Sequence, residues 1–440
     1  MLKPDVQQLK GDPDSSGDVT PPSDDRLDAL VTVLDTVRLM GASTRPEIMR
    51  RTGLGRAVTV QRVEALLDRG LFAEDGLAAS SGGRSPRAVR FNAGVGHILV
   101  ADLGATSIGV GLADLAGNLI EQREEPADIT AGPDAILLRV EELMENLRER
   151  AGGRSGDLWG IGIGVPGPVE FATGRPASPP IMPGWDDYPV RERFADRYRV
   201  PVWVDNDVNM MAVGERRSGI AQAHESVVFI KIGTGIGAGI LIGGRIHRGV
   251  QGSAGDVGHI QVTDDRSIVC RCGNRGCLEA LAGGAALARD GTEAARTGRS
   301  AILGRLLAER GRIEALDVGW AASHGDLVSR DLIANAGHRI GLMIATLVNA
   351  LNPSLIVVGG GVAGIGDALI ASIREAVYAR SLPLATRDLI LARSSLDDDA
   401  GLIGAATLVA DELFSRARIA RWLIAGSPAG QPELVSTAAG

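Results

Sequence analysis

A chain of 440 residues is longer than one ordinary hydrophobic core can serve, so two or three domains are expected. Its 45% hydrophobic content and mean hydropathy of +0.09 describe a soluble globular protein. A net charge of -8 excludes a generic nucleic-acid binder, so any DNA contact must come from a local basic surface.

Residues 1–25 carry two lysines and six aspartates among Pro, Ser and Gly, and are expected to form a disordered tail. This opening is polar and acidic, which predicts no secretory signal and a cytoplasmic protein.

The sign then reverses. From 27 to 92 there are ten arginines against seven acids, a net of +3, which marks residues 26–92 as a separate module. Leu27, Leu30, Val31, Leu34 and Val37 fall on one face of a helix that Gly41 stops. "STRPEIMRRTGLG" supplies a cap in Ser43 or Thr44, Pro46 in the first turn, and a short helix ending at Gly53. "RAVTVQRVEALLDRG" makes the next helix, closed by Gly70. Two short helices around a tight glycine turn predict a helix-turn-helix, whose second helix suits the major groove of double-stranded DNA. "LFAEDGLAASSGGRSPRAVRFN" then reads as two strands joined by a glycine-rich, arginine-bearing loop, a wing. Packing alone would also produce three helices and a hairpin. The turn spacing, the arginine excess and Arg84 at a loop tip favour DNA binding. Arg56, Gln61 and Arg62 are the candidates near bases, with Arg51 and Arg84 nearer phosphates. If Thr59 faces inward, Val58 and Val60 cannot both be core, and one is placed to meet a thymine methyl.

From residue 93 the texture changes to glycine-punctuated strands: "HILVADLGATSIGVGLADLAGNLI", "LWGIGIGVPG", "VPVWVDND", "SVVFIKIG", "GAGILIGG", "SLIVVGG" and "RDLILARS". Amphipathic helices such as "PDAILLRVEELMENLRER" lie between them, which predicts an α/β architecture. Two sheets separated in sequence suggest two lobes with a cleft. One lobe is expected over 93–217 with a C-terminal helix at 401–424, the other over 218–400, followed by a disordered tail at 425–440. Residues 340–366 carry no charge, yet Asn352-Pro353 and Gly359 to Gly361 divide them into a buried helix and a short strand, not a membrane span.

Asp102, Gly104 and Thr106 put a carboxylate, a glycine and a hydroxyl on one turn; Gly233, Thr234 and Gly235 set backbone N–H groups beside another hydroxyl. Each pattern suits a phosphate, and each is equally consistent with a plain turn between strands. No P-loop competes, since the only lysines are Lys3, Lys10 and Lys231. "VDNDVN" places Asp205, Asn206 and Asp207 at a strand end, where α/β proteins hold ligands. Asp207 is read either as a general base or as a helix cap.

Three cysteines, an odd number, point to metal or thiol chemistry before disulfides. All lie in "DVGHIQVTDDRSIVCRCGNRGCLEA". His259, Cys270, Cys272 and Cys277 make a ligand set for tetrahedral zinc that leaves no position for activated water, so the metal is expected to be structural. Asp256 and Glu279, tethered to this knot, would be held within reach of a polyhydroxylated ligand.

"DLGAT", "GVPGPVE", "VDNDVN", "GTGIGAGILIGG", "GDVGHI" and "CRCGNRGCLEA" together resemble the ROK family, which contains bacterial repressors, uncharacterised frames and sugar kinases. The resemblance covers residues 98–409, and the stretch from "TRPEIMRRTGLG" to "SSGGRSP" is similar to the winged helix that the family's regulators carry and its plain kinases lack. It implies a two-lobed actin-like (ribonuclease H-like) fold with a sugar in the cleft. Asn206, Asp207, Asp256, His259 and Glu279 would surround the sugar, Gly167 would line it, and Asp207 corresponds to the kinase base. Asp102, Gly104, Thr106, Gly233, Thr234 and Gly235 would face ATP and its magnesium, with Gly359, Gly360 and Gly361 near the adenosine. The chain departs from the family at Asp256, where Glu is usual, at Ala105 and Ser107, where kinases often have Gly and Lys, and at Gly55, where Ser is usual.

Two functions are expected from these features. The first is a sugar-responsive DNA-binding repressor of carbohydrate metabolism genes, a homodimer or homotetramer on a pseudo-palindromic operator, in which lobe closure moves paired winged helices. The alternative is an ATP-dependent, glucokinase-like sugar kinase, or a bifunctional protein. The head places regulation first, since a kinase alone has no use for a DNA-binding module.

Overall fold

The computed structural model describes residues 24–77, 87–152 and 158–435. The tail at 1–23 and Arg84 of the wing therefore lie outside the described residues.

The head consists of α1 (Asp24–Met40), α2 (Arg45–Thr52), α3 (Arg56–Asp68) and a sheet of β1 (Ser43–Thr44), β2 (Phe72–Leu77) and β3 (Arg87–Phe91) in the order β1-β3-β2. Thr44, not Ser43, caps α2: its hydroxyl accepts from the Glu47 N–H while the Glu47 carboxylate accepts from the Thr44 N–H at 3.0 Å. Gly53, at φ 71°, ends that helix in the left-handed region. Gly55 caps α3 without any side-chain hydrogen bond.

In the first lobe, β4 (His97–Leu103), β5 (Ser107–Asp114), β6 (Leu119–Pro126) and β7 (Leu158–Val165) precede a small hairpin, β8 (Val169–Glu170) and β9 (Arg175–Pro176), and then β10 (Val202–Asn206). The sheet order is β10-β7-β4-β5-β6, with β4–β5–β6 antiparallel and β4–β7–β10 parallel. The second lobe repeats the same plan with β11 (Val227–Ile232), β12 (Ile236–Ile242), β13 (Arg245–Ile246), β14 (Leu355–Gly359) and β15 (Ile390–Arg393), in the order β13-β12-β11-β14-β15. Strand alternation decides the layers: Leu99, Ala101 and Leu103 enter a core with α4 (Pro133–Arg150) and α5 (Val190–Tyr198), whereas Ile98 and Val100 face the opposite side.

Two helices cross between the sheets, α6 (Asp207–Ser218) and, at the far end of the sequence, Asp399–Leu413. Their crossing is close enough that a Cβ on Gly404 would stand 1.7 Å from the Met210 carbonyl oxygen, and one on Gly214 would stand 2.1 Å from that of Ala400. The second lobe adds α7 (Leu278–Ala282), α8 (Gly284–Arg296), α9 (Ala301–Arg310), α10 (Ala315–Ser323), α11 (Leu327–Leu351), α12 (Asp367–Arg380) and α13 (Pro383–Thr386), so Asp399–Leu413 is α14. The uncharged stretch at 340–366 resolves into the end of α11, then β14 and a 3-10 turn. Among the described residues no helix is long and apolar enough to cross a membrane.

Three expectations are corrected. The helix expected at 401–424 is two helices, α14 and α15 (Arg416–Trp422), broken at Phe414-Ser415 so that Trp422 folds back against Trp159 and Phe414 with ring centroids 5.3 and 5.9 Å apart. The tail expected from 425 is packed as far as 435: Leu434 and Val435 are buried, and the Arg418 guanidinium donates to both of their carbonyls at 3.0 and 3.3 Å. The third concerns the head, a unit with its own helices and sheet whose core nevertheless continues into the body. Val33, Leu34, Val63, Leu66 and Phe91 share one continuous core with Ile98, Trp159, Phe414 and Trp422 of the body. A change in charge along the sequence reports surfaces, and says nothing about where a core stops.

Arg38, counted in the basic surface, is 7% exposed in that junction, where it donates to Asp411 of α14 at 2.8 Å and lies over the Phe414 ring. Arg416 of α15 pairs with Asp24, at 3.1 Å, and with Asp28.

Candidate functional site

The two sheets open onto one cleft of about 540 Å³. Its walls include Asp102, Gly104, Thr106, Gly167, Asn206, Asp207, Gly233, Thr234, Gly235, Asp256, His259, Glu279, Gly360 and Gly361, residues that the sequence scatters over 260 positions. Gly359 is the exception. It ends β14 beneath the surface, where a Cβ would stand 2.5 Å from the Phe229 ring, so its role is packing.

Asn206 does two jobs. Its Oδ1 accepts from the N–H groups of Val208 and Asn209 at 2.9 and 3.2 Å, which caps α6, and its Nδ2 donates to the Gly167 carbonyl at 3.0 Å, which fixes the Pro-Gly-Pro turn. The cap is thus one residue before Asp207, and Asp207 is free to face the cleft. Asp207 is nevertheless engaged: Oδ2 accepts from the Lys231 ammonium at 2.5 Å and Oδ1 from the Val208 N–H at 2.8 Å.

Sequence reasoning missed Lys231, Arg248 and the rim carboxylates Glu124, Glu314 and Asp398. Lys231 had a signal, a lone charge within the apolar strand "VVFIKI" two residues before the glycine turn at Gly233. Arg248, from the loop after β13, reaches into the first lobe: Nε donates to Asp205 at 2.8 Å and the guanidinium sits 3.8 Å from the Phe171 ring centroid.

Asp102 stands at the foot of the cleft with Oδ1 buried and without a hydrogen-bond partner. Burial pushes its carboxyl up to about 7, against the pull of the Lys231 charge. Since the folded value is raised, its contribution to stability is full below the unfolded value and is lost as pH rises through about 7. Asp102→Asn is therefore expected to stabilise the fold by about 1–3 kcal/mol above pH 7.5 and to change nothing near pH 4. Thermal midpoints measured across that range check it, and a pH-independent difference would contradict it.

The cysteine-rich loop folds as a knot beside the cleft. Ligand atoms of His259, Cys270, Cys272 and Cys277 all lie within 4.8 Å of one another. Zinc–sulfur bonds of about 2.3 Å set tetrahedral edges of about 3.8 Å, and the Cys272–Cys277 sulfurs are 3.7 Å apart. Burial and the neighbouring thiols push Cys277 up to about 12 and raise Cys270 as well, so three thiolates need a cation between them. The residues fit zinc. His259 belongs to both knot and cleft, with Nδ1 3.6 Å from the Cys270 sulfur and Nε2 3.8 Å from the Asp256 carboxylate. With Nδ1 on the metal, Nε2 carries the hydrogen and donates toward the cleft. Glu279, two residues past Cys277, accepts from the Ile236 N–H at 3.2 Å.

On the head, Thr59, Val63 and Leu66 of α3 are buried, while Arg56 and Gln61 are exposed and Val58 is 38% exposed. Val58, not half-buried Val60, is therefore the valine open to solvent. Arg62 is less open than Arg56 and Gln61. It is half-buried on the side of α1, near Arg26, and its Nε is buried without a partner. Arg51 is exposed at the end of α2, with an N–H directed at the Met40 sulfur at 2.6 Å.

The ROK family model matches residues 98–412. The chain is 30% identical over 407 residues to a xylose repressor of Caldicellulosiruptor bescii, covering 89% of this chain and 96% of that one. It is 34% identical over 308 residues to a glucokinase of Halalkalibacterium halodurans, covering 70% and 93%. A solved ROK family transcriptional regulator, a homologue of the E. coli MLC protein, superposes with a TM-score of 0.74 at 27% identity over 88% of this chain and 96% of that one. A Streptomyces griseus glucokinase solved with glucose and AMPPNP gives 0.63 at 31% identity over 71% and 99%. The repressor and regulator matches span a larger share of the chain than the glucokinase matches do.

Proposed function

Because the chain belongs to the ROK family, we propose that it is a sugar-responsive transcriptional repressor, with a winged helix reading double-stranded operator DNA and the interlobe cleft reading a sugar. The observation that carries this reading is a head with an exposed α3 face joined by a common core to a lobe that lines the cleft. Asn206, Asp256, His259 and Glu279 are the sugar-facing groups, with zinc on His259, Cys270, Cys272 and Cys277 holding three of them in place. The protein acts as a homodimer or homotetramer in the cytoplasm on a pseudo-palindromic site. Sugar closes the lobes and changes the separation of paired heads against half-sites about one helical turn apart.

The test is a gel shift on DNA upstream of the protein's own reading frame, titrated with glucose, xylose and salt. Release by a sugar and a steep log-log salt slope are expected. The same shift with every sugar would end the switch while leaving DNA binding intact. Arg56→Ala and Gln61→Ala are each expected to weaken operator binding by about tenfold to a hundredfold, with sugar affinity unchanged. Full operator affinity in both variants would take α3 out of the groove.

A second reading, an ATP-dependent sugar kinase, is favoured by both phosphate turns lining the same cleft and by the glucokinase relatives. A coupled ADP assay over a panel of hexoses decides it.

A further inference from the structure

One carboxylate at the foot of the cleft, that of Asp207, already holds a cation. Lys231 interrupts β11, whose other residues are buried. Its stem runs past two neighbouring turns of the second lobe, at the ends of β11 and β14: Cγ lies 3.0 Å from where a Cβ on Gly360 would stand, and Cε 3.7 Å from the matching point on Gly233. Its ammonium donates to Asp207, and Asp102 and Asp398 are the further carboxylates whose charge it feels. This is the region where the family resemblance places magnesium and the nucleotide phosphates. An ammonium offers three donors and no lone pair. A divalent ion seated on the same carboxylates would meet that positive charge at close range, in a part of the fold where water and salt screen little, and magnesium also demands an almost regular octahedron of oxygens.

We propose that Lys231 is a built-in cation standing in place of a divalent metal at the phosphate turns, so that the cleft takes its sugar without metal or nucleotide and transfers no phosphoryl group. A phosphate clamp would need a lysine with charge to spare. Here Asp207 neutralises it, and Glu124 and Asp398 line the same cleft and repel an incoming polyanion. The inference rests on the sugar-sensing reading of the cleft, and its test separates the two.

The test titrates Mn²⁺ into zinc-loaded, full-length protein, following free and bound ion by electron paramagnetic resonance. The unmodified protein is expected to show no Mn²⁺ site that depends on Asp102. Lys231→Ala is expected to gain one site per chain at least tenfold tighter than any in the unmodified protein, and Lys231→Ala/Asp102→Asn to lose it. An Asp102-dependent Mn²⁺ site in the unmodified protein overturns the proposal, as does a folded Lys231→Ala protein, judged by its zinc content and thermal midpoint, that gains none. If the variant does not fold, the titration of the unmodified protein still decides between the two outcomes. In parallel, calorimetry with glucose and xylose is expected to give affinities within twofold with and without magnesium and AMPPNP. Magnesium-dependent AMPPNP binding that Lys231→Ala abolishes would make Lys231 a phosphate clamp and overturn the proposal from the other side. Failure of both sugars to bind, with the Mn²⁺ results as expected, counts against sugar sensing alone.

Discussion

Replacing Cys277 with Ser, or stripping the metal with a chelator, is expected to weaken sugar binding about a hundredfold. The cleft-lining groups His259 and Glu279 lie on the knot or within two residues of it, and Asp256 stands three residues from His259. A displacement of about 1 Å in such groups costs about that factor. The packed cores of the two lobes do not include the knot's outer turn, so the fold should survive with a lower thermal midpoint, and DNA binding should persist without a sugar response. Zinc analysis of the purified protein, calorimetry and a gel shift on the same preparation check this. A metal-free Cys277→Ser protein that binds sugar within threefold of the unmodified one would show that the knot positions nothing.

The second large effect lies at the junction. Trp422→Ala is expected to cost about 3–5 kcal/mol, because the side chain is fully buried, packs on Trp159 and Phe414, and donates its indole N–H to the Leu413 carbonyl at 2.8 Å. Phe414 in turn meets Phe91 of the head edge-on, with centroids 5.4 Å apart. A substitution in α15 should therefore weaken DNA binding through the N-terminal head, although Trp422 itself belongs to the body. Calorimetric unfolding should show the head and first lobe melting in one transition. Two separate transitions, with operator affinity untouched in Trp422→Ala, would contradict a common core.

Much of this was legible in the sequence because local rules agree with the global fold. Thr44, Pro46 and Gly53 mark α2 by capping chemistry alone, and the glycine turns sit where strands must reverse. The four residues that could hold a metal, His259, Cys270, Cys272 and Cys277, are close in the chain, so their spacing carries the geometry. What escaped depends on contacts between distant segments. The break at Ser415 and the burial of Arg38 are set by partners hundreds of residues away, and Leu434 and Val435 are held by Arg418 from the preceding helix, contacts that periodicity cannot see. The half-burial of Arg62 follows from the helix register, which hinges on which of Val58, Thr59 and Val60 faces inward, and a buried threonine bonded to its own helix backbone decides it. The pairing of Lys231 with Asp207 joins a strand of one lobe to the first turn of α6, and only the assembled cleft reveals it.

The shared core also sets a rule for engineering. A reader excised at residue 92 and grafted onto another sensor would leave Val33, Leu34 and Phe91 without their cover, a sticky patch in place of a joint. A chimera that keeps the reader soluble has to import the strap from Asp399 to Val435 along with it, so the natural cassette here is discontinuous, its two pieces drawn from opposite ends of the polypeptide.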